Sequence, residues 1–212
     1  MKSFPDIVAK ALSVIFYPLF VPAYGVALFC YAHSVQVAPL APAWVLIAVL
    51  GTLVLTCLLP VSAIGLMIRR GDVSDMQITN ARERTIPFLY TVTGFGFWCY
   101  LMIAILQAPV YLAYIAVGAT ISIALVAVIN LRWKISAHLT GFGGLTGGIF
   151  SYCLGIGVMP AWSAILGLFA LALAIMYARL HLDAHTPAQV CAGWLLGLVC
   201  TFIPYCIYTY VA

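Results

Sequence analysis

The chain has 212 residues, of which 66% are hydrophobic and 7% are charged. Nine Lys or Arg and five Asp or Glu side chains give it a formal net charge of +4. Such a small polar fraction excludes a soluble globular protein. No linker-like or low-complexity segment interrupts the sequence, so we predict a single domain over residues 1–212.

The spacing of the charged residues predicts membrane spans. The charges form four groups, at positions 2–10, 69–84, 132–134 and 179–183, separated by charge-free stretches at 11–68, 85–131, 135–178 and 184–212. A helix needs about 20 apolar residues to cross the hydrocarbon core. The first three stretches each fit two crossings and the last fits one. This predicts an all-α polytopic transmembrane helical bundle of about seven spans.

Prolines and polar residues place the turns between these spans. They occur at 33–42, 107–109 and 159–160, and proline favours the first turn of a helix. The predicted spans lie near 11–32, 43–68, 86–106, 110–131, 139–158, 161–179 and 187–210. Seven crossings put all four charged groups on one membrane face. The positive-inside rule would make that face cytoplasmic.

The first loop that could carry chemistry is 75–87, DMQITNARERTIP. Arg82 and Arg84 stand two residues apart, just before an apolar span. Both are candidate phosphate-binding residues, because the planar guanidinium matches phosphate oxygens. The alternative interpretation is a solvated loop whose basic residues hold lipid headgroups.

The second loop is 132–141, RWKISAHLTG, where His138 lies at the mouth of a span. A histidine there could donate a proton to a leaving oxygen and later activate water. Lys134, Ser136 and the backbone N–H of Ala137 could bind phosphate oxygens. Alternatively, Ser136 initiates a helix and His138 marks the membrane interface.

The third stretch is 178–197, ARLHLDAHTPAQVCAGWLLG. His185 has a ring nitrogen that could attack phosphorus, and Arg179 could hold the phosphate oxygens. Gln189, one helical turn after His185, could orient its ring, and Asp183 is a second candidate for that role. Alternatively, Arg179 snorkels to the interface.

The three loops together favour a functional site over separate structural roles. Arg and His residues at a membrane edge are functional by default. Two histidines and up to four cations come from three loops to one face, with little negative charge nearby. This combination suits an anionic, phosphate-bearing ligand.

The same residues resemble the signatures of the type 2 phosphatidic acid phosphatase superfamily. Its third signature, SRxxxxxHxxxD, matches Ala178, Arg179 and His185, with Ala in place of Ser. Gln189 stands where most members carry Asp. The sequence HTPAQV at 185–190 is similar to the version in dolichyl diphosphatase and glucose-6-phosphatase.

The other two signatures are matched less completely. PSGH corresponds to Ile135, Ser136, Ala137 and His138, which keeps its Ser and His. In KxxxxxxRP, Gln77 replaces Lys when Arg84 is taken as the arginine, and Pro87 comes two residues late. The first signature is therefore the most degraded.

The resemblance implies an integral membrane phosphatase with a six-helix core and no metal or other cofactor. His185 would form a phosphohistidine, and His138 would act as general acid and then as base. Arg179, Arg84 and Lys134 would bind the phosphoryl oxygens. The expected partner is a phosphorylated membrane lipid and not a nucleic acid, with undecaprenyl diphosphate in a bacterial inner membrane as one example. The family relation would place the site outside the cytoplasm.

Three other functions stay open. His181, Asp183 and His185 form HxDxH, a pattern that can bind zinc. A transporter could use the cationic face to attract anions, with Asn80 and Asn130 near the loops as polar groups. A catalytically weak or inactive relative could bind lipid phosphates as a scaffold. The glycine-rich run at 141–148 is expected to pack helices and not to cradle phosphate.

Overall fold

The computed structural model describes residues 4–74, 83 and 85–211, and within them it contains helices and no strand. The helices are α1 (Phe4–Ile15), α2 (Val21–Gln36), α3 (Pro42–Leu53), α4 (Leu59–Arg70), α5 (Thr85–Ala104), α6 (Val110–Asn130), α7 (Ala137–Ile156), α8 (Trp162–His181) and α9 (Pro187–Val211). A π-helical turn, Val54–Leu58, joins α3 to α4. The predicted all-α class is confirmed.

Six helical segments of the described chain are long and apolar enough to cross a membrane. They are Pro42–Arg70, Thr85–Ala104, Val110–Asn130, Ala137–Ile156, Trp162–His181 and Pro187–Val211. Their bounds agree with the spans predicted from residue 43 onward to within a few residues. The protein is therefore an integral membrane protein built as a helical bundle.

The span predicted near 11–32 is wrong as one continuous helix. Helix α1 ends at Ile15, and α2 begins only at Val21. Pro18 explains the break, because it has no backbone N–H to donate and disfavours the helical conformation of Tyr17 before it.

The shortened helix α2 still runs between the two ends of the bundle. Its 16 residues extend about 24 Å at the usual helical rise. Its first residue, Val21, lies against Gly141 in the first turns of α7. Near its other end, His33 Nδ1 is 2.8 Å from the hydroxyl oxygen of Tyr111, at the start of α6.

Glycines bring α7 and α9 into close contact. A Cβ atom added at Gly143 or Gly147 would collide with the backbone of α9, and one at Gly197 with the backbone of α7. The predicted packing role of the glycine-rich run is therefore confirmed. Because α7 and α9 both begin at the charged end, their close packing places the turns that precede them side by side. The N–H of Ser136 donates to the carbonyl of Gln189 at 3.2 Å.

Helix α1 folds back against α8 at the charged end of the bundle. Asp6 accepts a hydrogen bond from His181 at the end of α8, at 2.9 Å between Oδ1 and Nε2. Helix α1 thereby lies across the first turn of α7 and the last turns of α8. These are the turns that carry His138 and Arg179.

Candidate functional site

His185 lies in the turn between α8 and α9, with its ring held by two oxygen atoms. Its Nδ1 is 3.2 Å from Oε1 of Gln189 and 3.3 Å from the backbone carbonyl of Lys134. Both oxygens can only accept, so Nδ1 carries the hydrogen and Nε2 carries the lone pair. The ring is thus fixed in the tautomer that a nucleophile requires.

Gln189 is itself fixed by the start of α9. Its Oε1 accepts from the N–H of Thr186 at 3.1 Å, and its own N–H donates to Oγ1 of Thr186 at 3.4 Å. This reciprocal pair is a capping box, with Pro187 in the favoured first helical position. Gln189 therefore caps the helix and orients His185 through the same oxygen atom.

The surroundings of His185 keep its ring neutral. Burial and the positive charge of Arg179 lower the pKa of His185 to about 4, with a smaller lowering from Lys134. The hydrogen bond to Gln189 acts in the opposite direction. At neutral pH the lone pair on Nε2 is therefore available.

His138 is buried in the first turn of α7, with 8% of its surface exposed. Its Nε2 donates to the backbone carbonyl of Ser13 at 3.1 Å. The ring of Tyr17 meets it edge-on, with centroids 6.0 Å apart and planes at 87°. The last turn of α1 and the residues after it thus form one wall of the site.

Arg179 is a buried cation, 9% exposed, whose guanidinium donates to Oγ of Ser13 at 3.1 Å. Its Nε is buried and has no hydrogen-bond partner. In the described part of the chain, no carboxylate lies within ion-pair distance of it. A buried charge without a counter-charge is unfavourable, so this position attracts an anion. The guanidinium fork matches the oxygens of a phosphate.

The structure also shows where most of the remaining predicted residues lie. Ser136 is fully buried and caps α7 by accepting from the N–H of Leu139 at 3.5 Å. Ala137 is the first residue of α7, where backbone N–H groups lack intrahelical acceptors. Asp183 lies in an exposed turn with φ of 50°, and Gln189 takes the place beside His185. Arg82 and Arg84 lie outside the described residues.

The HxDxH pattern does not gather its side chains into one cluster. His181 pairs with Asp6, whereas His185 faces Gln189. Across residues 4–74, 83 and 85–211, no group of three His, Cys, Asp or Glu side chains is arranged to hold a metal ion. Asn130 donates to the carbonyl of Val126 in its own helix.

Sequence reasoning missed Ser13 and Tyr17, because both fell in what was predicted to be an unbroken span. Ser13 bonds to His138 and Arg179, which are 125 and 166 residues away in the chain. The available signal was the polar Ser13 followed by Tyr17-Pro18, next to a charged segment. A helix break there would have placed residues 4–15 at the charged face.

The site therefore combines three complementary groups. They are a neutral imidazole with a lone pair on Nε2, a second imidazole that donates a hydrogen, and a buried guanidinium. Such a set can attack a phosphorus atom, protonate a leaving oxygen and stabilise the developing negative charge. The chain matches no protein-family model, no curated protein and no solved structure.

Proposed function

We propose that this protein is a membrane phosphatase that hydrolyses a lipid phosphate or an isoprenyl diphosphate through a phosphohistidine intermediate. The observation that carries the proposal is the buried Arg179, which bonds to the same residue as His138 and acts electrostatically on His185. The resemblance to the type 2 phosphatidic acid phosphatase superfamily supports the same reaction. A bacterial inner membrane and an undecaprenyl diphosphate-like substrate follow from that resemblance.

In the first step, Nε2 of His185 attacks phosphorus. A P–N bond forms, the P–O bond to the leaving group breaks, and its electron pair stays on the leaving oxygen. His138 enters this step as an imidazolium, whose charge the bound phosphate stabilises. It exchanges its bond to Ser13 for one to the substrate, gives its proton to the leaving oxygen and becomes neutral. Arg179 stabilises the charge on the remaining phosphoryl oxygens.

In the second step, water hydrolyses the phosphohistidine. The neutral His138 takes a proton from water, and the water oxygen attacks phosphorus. The P–N bond breaks and its electron pair returns to Nε2 of His185, which releases phosphate. Phosphorylation makes the His185 ring cationic, and the oxygens of Gln189 and Lys134 at Nδ1 stabilise that charge.

A second candidate is lipid-phosphate binding without turnover. It is favoured by Ser13, which occupies a hydrogen-bonding atom of both His138 and Arg179. In that case the anion would displace Ser13 and stay intact. The two candidates differ in whether phosphate is released.

Phosphate release from purified protein in detergent tests the proposal. The substrates are an isoprenyl diphosphate, an isoprenyl phosphate, a phosphatidate and a soluble sugar phosphate, each with EDTA present. We expect release from the lipid substrates in EDTA and inhibition by vanadate, which mimics the five-coordinate transition state. Saturable binding without release would support the scaffold. Loss on chelation that zinc restores would support a metal enzyme.

Exchange of Gln189 for Glu should change the pH dependence. Glu keeps the capping box but places a negative charge beside Nδ1, which raises the pKa of His185 above its value of about 4. More of the ring is then protonated at a given acidic pH, so the acidic limb of kcat/KM should move upward. Gln189→Leu should cost roughly 10- to 100-fold at all pH values, as for other orienting partners.

The matched control for this pH effect is Gln36→Glu. Gln36 accepts from the hydroxyl of Tyr152 at the opposite end of the bundle, at 3.0 Å. The Gln36→Glu variant should have the same pH profile as the unaltered protein. If the Gln189→Glu profile also stays unchanged in a folded protein, Gln189 acts only as a helix cap.

A further inference from the structure

A cavity lies inside the bundle and begins beside the first turn of α7. Its volume is about 110 Å³, and its walls come from α2, α3, the π-helical turn, α5, α6, α7 and α9, together with the segment before α2. At the charged end it reaches Ala137, next to His138, and Pro18, next to Tyr17. At the other end it reaches Met102 and Leu112. The cavity thus extends from residues adjacent in the chain to His138 and Tyr17 into the membrane-embedded core.

The wall of this cavity is apolar. No lining residue carries a charge. The hydroxyl groups in the wall each donate to a backbone carbonyl of their own helix, as for Thr52, Thr56, Thr120, Ser122, Thr140 and Thr201. The indole N–H of Trp98 donates to Thr52 at 2.8 Å. Water needs two to four polar partners in such a space, whereas hydrocarbon needs none.

The shape of the cavity limits what it can hold. Along α6 its lining extends from Leu112 to Val126, which is about 21 Å at the usual helical rise. A volume of about 110 Å³ is smaller than that of an engineered apolar cavity of roughly 150 Å³ that binds benzene. A long space with so little volume is narrow. It fits one flexible chain and not two side by side.

Building on the proposed function, we infer that the cavity receives the first part of the substrate's hydrocarbon chain while the phosphate lies between Arg179, His138 and His185. The preferred substrate class is then a single-chain lipid phosphate, of the isoprenyl or monoacyl type. A diacyl phosphate would have to leave one chain outside this cavity.

Filling the cavity from its α7 wall gives a direct test. A Cβ atom at Gly144 would lie 3.6 Å from Cγ2 of Thr201, an ordinary contact, so a side chain can start there and extend into the cavity. Gly167 in α8 has nothing within 4 Å of an added Cβ and does not line the cavity. Gly144→Leu and Gly167→Leu are therefore a matched pair.

Each variant is assayed with farnesyl phosphate and with butyl phosphate, whose chain is too short to reach far into the cavity. We expect Gly144→Leu to lower kcat/KM for farnesyl phosphate about tenfold or more, chiefly through KM, because buried methylene contacts are lost. Butyl phosphate should change by less than about twofold. Gly167→Leu should leave both unchanged. An equal loss on both substrates, or no loss on farnesyl phosphate, would overturn the inference.

A second comparison keeps the headgroup constant and changes the number of chains. Oleoyl lysophosphatidate and dioleoyl phosphatidate carry the same glycerol phosphate. We expect kcat/KM to favour the single-chain lipid. An equal or higher kcat/KM for dioleoyl phosphatidate would contradict the inference that the cavity holds a single chain.

A binding measurement separates this inference from the proposed function. Trp98 lines the cavity, so an alkyl phosphate brominated along its chain should quench its fluorescence. Four other tryptophans, Trp44, Trp133, Trp162 and Trp194, do not line the cavity and can also be quenched, so the cavity signal is the part of the quenching that is lost in Trp98→Phe. That part should weaken in Gly144→Leu, whether or not the lipid is hydrolysed. Quenching without phosphate release would disprove the phosphatase but retain the cavity. Phosphate release without Trp98 quenching would support the phosphatase and disprove the role of the cavity.

Discussion

His185→Ala should abolish phosphate release and covalent phosphate trapping, because it removes the atom that would bond to phosphorus. Loss of a nucleophile costs about 10³-fold or more in activity. The measurement is steady-state release together with acid-labile phosphate bound to protein after rapid denaturation. His33→Ala, at the opposite end of the bundle beside Tyr111, is the matched control and should keep near-normal activity.

His138→Ala should separate the two chemical steps. Without a general acid, a poor leaving group departs slowly, whereas a nitrophenolate needs little protonation. With nitrophenyl phosphate the variant should accumulate the phosphoenzyme, because the base that activates water is also absent. Full trapping in His185→Ala would instead show that another residue is the nucleophile.

Arg179→Met should lower kcat/KM by about 10²- to 10³-fold, as for other groups that stabilise transition-state charge. It should leave the unfolding temperature equal or higher. Arg179 is a buried cation with no carboxylate partner among the described residues, so its removal relieves an unfavourable burial. Arg179→Lys keeps the charge but loses the planar fork, so its activity should fall between that of the unaltered protein and that of Arg179→Met.

The control for Arg179→Met is Arg132→Met, at an exposed position. It should leave both kcat/KM and the unfolding temperature unchanged. The combination of a more stable fold and a weaker enzyme would mark Arg179 as a residue kept for ligand binding. If Arg179→Met unfolds at a lower temperature and loses activity in proportion, its role is structural.

The sequence predicted most of the bundle because charge placement is a strong signal in lipid. From residue 43 onward, charge-free stretches and prolines located each span to within a few residues. The prediction of the first span as one helix was wrong, because an apolar run containing Pro18 is compatible with a kinked helix or with two helices. Whether residues 4–15 continue into the membrane or fold back depends on contacts with α8, which is far along the chain.

Within the candidate site, the sequence allows local contacts to be predicted but not the contacts that tertiary packing creates. His185 and Gln189 are one helical turn apart, so their contact follows from local geometry and is confirmed. Asp183 is nearer to His185 in sequence than Gln189 is, but it lies in a turn that leaves it exposed. Ser13 could not be identified, because its partners are set by tertiary packing.

The attachment of Ser13 to both His138 and Arg179 would affect how tightly the proposed phosphate ligand binds. The glycine contacts between α7 and α9 leave little room for those helices to shift, whereas α1 is joined to α2 by a short segment containing Pro18. If α1 must move for an anion to take the place of Ser13, the anion binds only molecules in that open state. Its apparent dissociation constant is then the intrinsic one divided by the open fraction. A closed state favoured a hundredfold would make a ligand of micromolar intrinsic affinity bind at about 100 μM.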